Sequence, residues 1–165
     1  MSLIKFTRLV LLSMWIGAAL FFGAVVAPSI FLVLRSFDLA NYGEIAGSIV
    51  TRTLSVVNIA GFIIGLFLLL TFFASAGKSR VANWIQLAGI LVIIAATGIG
   101  QWWIAARMRA LRVAMVLPID QVRPDDPRRL EFNTLHGYSV NALGLAMIAA
   151  LITVVLISRR LRTLN

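Results

Sequence analysis

Residues 9–34 read LVLLSMWIGAALFFGAVVAPSIFLVL, an apolar run without a charge. A helix needs about 20 residues to cross a hydrocarbon core of roughly 30 Å, so this stretch is long enough to span a membrane. Three comparable runs follow, Leu54 to Phe73, Trp84 to Ile104 and Leu135 to Ile157. Together they predict an all-α polytopic membrane protein, a four-helix antiparallel transmembrane bundle that occupies residues 1–165 as a single domain.

Composition agrees. At 61% hydrophobic residues and a mean hydropathy of +0.98, the chain is more apolar than a soluble domain of 165 residues could bury in one core. The first run reads as a retained span, because its apolar region is too long for a signal peptide and no small-x-small cleavage site leads into a polar chain. The absence of cysteine excludes disulfides, thiolate metal sites and thiol nucleophiles. The formal charge of +9 comes from bases that flank the spans. The partner it implies is the anionic surface of a lipid bilayer, not nucleic acid.

Four spans put both termini on one side. That side carries Lys5, Arg8, Lys78, Arg80, Arg159, Arg160 and Arg162 and no acid. The other side mixes Arg35, Arg52, Arg107, Arg109, Arg112, Arg123, Arg128 and Arg129 with all six acids: Asp38, Glu44, Asp120, Asp125, Asp126 and Glu131. The purely basic side is assigned to the cytoplasm, which orients both termini inward.

On the outer side, Asn41 and Glu44 read as a capping box that starts the second helix near Tyr42. Asp126 before Pro127 supplies an N-cap with proline at the first helical position, so the fourth helix also begins beyond the lipid. The third helix runs on through Arg107 to Arg112. The segment holding Pro118, Pro124 and Pro127 resists regular structure. Within the spans, Ala19, Gly23 and Ala27, then Gly61 and Gly65, then Ala96 and Gly100 form small-residue stripes that permit close helix approach. Pro28 frees the carbonyl of Ala24 and distorts the end of the first helix.

Polar residues gather at one depth. His136 falls about 21 residues before Ile157, roughly 31 Å at 1.5 Å per residue, which sets it at the outer interface. Ser139 and Asn141 follow it inward, Gln101 and Thr97 match them on the third helix, and Arg52 and Asn58 on the second. Because lipid cannot satisfy polar groups, these residues predict an outward-opening pocket around His136. Met108 and Met115 lie on the same side, so the ligand set His136, Met108 and Met115 would suit copper(I). Arg52 alternatively snorkels to headgroups, and Trp102 and Trp103 mark the interfacial belt.

The run Trp15-Ile16-Gly17, Phe21-Phe22, Val25-Val26-Ala27-Pro28 and Phe31, followed by Ala46-Gly47 and later by Phe132, Leu135-His136 and Ser139, resembles the bacterial domain-of-unknown-function family 4149 and its eukaryotic relatives, the transmembrane protein 205 group. Trp15, Gly17, Phe22, Pro28, Phe132 and Leu135 are the motif positions. The resemblance implies a bacterial cytoplasmic (inner) membrane location and, by analogy with the copper resistance D group, metal handling. Where the family pattern has an asparagine seven positions after the histidine, this chain has Leu143.

Three functional classes follow. The first is a non-enzymatic binding or transport-accessory protein using the polar pocket, with copper as the candidate cofactor. The second is a structural or assembly partner of a larger membrane complex or a homo-oligomer. The third is a haem-binding redox protein, disfavoured because a single histidine cannot supply bis-His ligation. No acid lies within a span and Ser139 has no third triad member near His136, so hydrolysis is not expected.

Overall fold

The computed structural model describes residues 3–75 and 79–162. Lys78, counted above among the basic residues, lies outside them, as do the side chains of Arg160 and Arg162. Four long helices account for most of the chain: α1 (Leu3–Ser36), α2 (Tyr42–Leu70), α3 (Arg80–Met115) and α4 (Pro127–Arg162). All four are long and apolar enough to cross a membrane. α1 and α3 each pack against α2 and α4, which closes an antiparallel bundle. The chain is thus a multi-pass membrane protein, with no strand among the described residues.

The bundle axis is filled by Leu12, Leu68, Ile90 and Ile93, all fully buried, with Ala146, Ala149 and Ala150 of α4 set against them. Small residues decide how closely the helices meet. A Cβ at Gly61 would lie 2.7 Å from the Trp15 indole, and one at Gly65 2.7 Å from Ile94. One at Gly89 would lie 2.7 Å from Thr153 Oγ1. Gly61 and Gly65 therefore serve contacts inside the bundle. Gly23 does not: nothing lies within 4 Å of its would-be side chain.

Two helices carry a π-turn. In α1 it spans Phe22–Val26, and the N–H of Ala27 donates to the carbonyl of Phe22. Its cause is Pro28, which has no N–H and whose ring crowds the carbonyl four residues back. The expected distortion is present. In α3 a second π-turn spans Ile99–Ile104, with the N–H of Ala105 donating to Gly100. No proline accounts for it.

At the end remote from the termini, the helices outrun the apolar bundle and build a headpiece around Ile104, Met108, Leu111, Met115, Val122, Phe132 and Leu135. The expected capping box is absent, since the Asn41 side chain makes no cap bond. Asp120 from the α3–α4 connection takes that role, its Oδ2 accepting the Glu44 N–H at 3.0 Å. Any side chain at Gly43 would collide with that carboxylate. Glu44 is left to pair with Arg112 at 3.3 Å, and Arg112 also donates to Ser48 Oγ at 2.9 Å and lies over the Phe132 ring. Asp126 does cap α4, its Oδ1 accepting from the Arg128 N–H at 2.8 Å.

Candidate functional site

The predicted site residues divide into two groups. His136, Asn141 and Arg52 are exposed on the outside of the bundle, whereas Gln101, Asn58 and Ser139 are buried within it. Gln101, Asn58 and Ser139 thus lie inside the bundle and His136 on its outer surface. Helix geometry explains the division: Leu135 and Ser139, four apart, turn inward, and His136 is carried outward between them. Met108 and Met115 are buried in the apolar headpiece cluster with Leu135, whereas His136, the next residue along α4, is exposed. No group of three or more His, Asp or Glu side chains able to hold a metal ion occurs among the described residues.

What the structure does assemble is a layer of neutral polar groups in the upper bundle. Trp15 of α1 is buried, and its indole N–H donates to the Val57 carbonyl of α2 at 2.8 Å. Next to Val57, the Asn58 amide lies against α3, where a Cβ at Gly100 would come 3.2 Å from Nδ2. Gln101 follows, and its Nε2 donates to Ser55 Oγ at 2.7 Å. Ser55 and Asn58 are three apart on one helix face, so α2 meets Gln101 and Gly100 along a single edge.

The fourth helix joins at the same level. Arg107 of α3 pairs with Glu131 of α4 at 2.7 Å, which marks one height on the two helices. From there Gln101 is about six residues along α3 and Ser139 about eight along α4, a height difference of ~3 Å. Ser139 is buried there, and one turn deeper on α3 Thr97 Oγ1 donates to the Ile93 carbonyl at 2.7 Å.

Gln101 Oε1 is buried and has no hydrogen-bond partner. The amide could be turned the other way, with Ser55 donating to oxygen, and one head atom would still be unmatched. Gln101 also sits in the second π-turn, where the hydrogen-bond ladder is locally opened. Such turns recur at functional sites. The layer can accept or donate hydrogen bonds but offers no ionised group of its own.

A second polar level lies toward the termini and escaped the sequence reading. Arg8, counted there as a flanking base, is fully buried and donates from Nη1 to the Thr71 carbonyl at 3.1 Å, capping the end of α2. Gln86 and Thr153 are buried, and Gln86 Oε1 has no partner. The signal was faint, because one arginine near a helix start looks the same whether it points to headgroups or into the bundle.

A polytopic four-helix bundle with a neutral polar layer and no metal cluster among its described residues defines a class of membrane protein rather than a reaction. The family profile of a domain of unknown function, DUF4149, matches residues 10–116. The chain belongs to that family. The matched region covers most of α1 and all of α2 and α3, with Trp15, Gly17, Phe22, Pro28, Asn58 and Gln101, while Phe132, Leu135 and Ser139 lie beyond it. No curated protein and no solved structure matches the chain.

Proposed function

We propose that this protein is a non-enzymatic membrane binding or transport-accessory protein that holds a small ligand at the layer formed by Gln101, Asn58, Ser55 and Ser139. The observation that carries the reading is the buried Gln101 Oε1 without a partner. Leaving a buried acceptor unmatched costs about 1–3 kcal/mol, and that expense is explained if a ligand or ordered water completes it. The ligand class is a small hydrogen-bond donor or a singly charged cation, because the lining is neutral and rich in oxygen. With the termini in the cytoplasm, entry is from the headpiece side of a bacterial inner membrane.

The test is calorimetric titration of the purified protein in detergent with ammonium, potassium and copper(I), repeated on Gln101→Leu. Saturable binding of one probe that Gln101→Leu abolishes supports the reading. Equal binding by both proteins, or by neither, rejects it. Copper(I) binding that survives Gln101→Leu but is lost in His136→Gln would return the site to the histidine.

A further inference from the structure

The carboxamides of the spans are not all inside. Asn58, Gln86 and Gln101 are buried, but Asn141 projects from the exposed face of α4. Its neighbours on that face are Tyr138, Leu145, Ile148 and Ile152, all exposed. With Asn141 these follow a repeat of three and four residues, which keeps them on one side of a helix.

Asn141 lies within the apolar run from Leu135 to Ile157, five residues, hence ~8 Å, inward of His136 at its outer end. At that depth lipid can satisfy neither its two donors nor its acceptor. Isolated apolar side chains on the same face need no partner, but a carboxamide there does.

We propose that α4 pairs with α4 of a second copy of this chain, with the two Asn141 side chains hydrogen-bonded to each other across a two-fold axis. A carboxamide is self-complementary, because each supplies the donor that the other accepts, so a closed dimer satisfies both without any further protein. Gly137 and Gly144 flank Asn141 on this helix, and nothing lies within 4 Å of a would-be side chain at either. They leave room for a second backbone to approach. A single polar residue in an apolar seam also fixes register, since any slip leaves both amides in lipid. The pairing is independent of the ligand layer, because Gln101 is buried within the bundle and Asn141 is exposed outside it.

The experiment uses full-length protein labelled with a donor or an acceptor fluorophore and reconstituted in phosphatidylcholine vesicles over a range of protein-to-lipid ratios. Energy transfer should fall on dilution, and Asn141→Leu should weaken association about 3- to 20-fold. Asn141→Gln should retain most of it. Since the chain has no cysteine, Leu145→Cys and Ile148→Cys give a second readout: both should cross-link under mild oxidation, and Ile63→Cys on the exposed face of α2 should not. Association of Asn141→Leu equal to wild type, or cross-linking at Ile63→Cys as efficient as at Leu145→Cys, overturns the proposal. So does wild-type protein that stays monomeric at every ratio.

Discussion

The indole of Trp15 closes directly on Gly61, within 2.7 Å of where a Cβ would stand, while its N–H reaches the Val57 carbonyl 2.8 Å away. One contact thus fixes both the spacing and the height of α1 on α2. Gly61→Val should destabilise the bundle by about 1–3 kcal/mol through overpacking. Trp15→Phe should lose about 0.5–1.5 kcal/mol with the indole hydrogen bond. Thermal unfolding in one detergent checks both, and a Gly61→Val protein as stable as wild type would show that the helices separate freely here.

Arg112 joins three helices of the headpiece by meeting Glu44 and Ser48 of α2 and Phe132 of α4. Its side chain is only 17% exposed, so solvent screens the pair less than an ordinary surface ion pair. Arg112→Met should cost about 1–3 kcal/mol, and Asp120→Ala about 1 kcal/mol by removing the cap on α2. A double-mutant cycle between Arg112→Met and Glu44→Gln should give a clear coupling. Strict additivity would mean that the two side chains do not interact in solution.

Val116 ends α3 at φ 64°, and the Leu117 N–H donates back to Met115 at 2.7 Å. A β-branched residue is strained in that region, where glycine is at ease. Val116→Gly should therefore raise stability by about 1 kcal/mol despite the freedom it adds to the unfolded chain. A lower unfolding temperature would show that the turn is held differently.

Asp126 is held at about 2, chiefly by the side-chain hydrogen bond from Arg128, below its ordinary 3.8. A carboxyl whose folded pKa is depressed supports the fold above its unfolded pKa and loses that support as pH falls through the folded one. The first turn of α4 should stay capped at pH 4 and loosen only near pH 2. The amide resonance of Arg128, which donates to Asp126, reports this directly. A titration midpoint near 3.8 would contradict the cap.

The spans, the start of α4 and the distortion before Pro28 were legible because each rests on local chemistry: apolar length, an Asp-Pro step and a missing N–H. The site was legible only in its depth. Residue spacing brought Gln101, Asn58, Ser139 and His136 to one level, but depth does not give azimuth. Facing direction on α4 is set by which residues meet α3, and Leu135 and Ser139 won that place from His136. The capping box failed for a related reason, as Asp120 arrives from a distant loop that no local pattern connects to Gly43. The π-turn at Ile99–Ile104 has no proline to announce it.

The central claim is that the Gln101 layer is shaped for a ligand at the expense of the empty fold. The most direct measurement is the thermal stability of ligand-free Gln101→Leu beside wild type in the same detergent. If Gln101 waits for a ligand, removing its unmatched oxygen should leave stability equal or raise it by up to about 2 kcal/mol, even though the Ser55 hydrogen bond is lost. A fall of about 1 kcal/mol or more would contradict the account and make Gln101 a structural tie between α2 and α3.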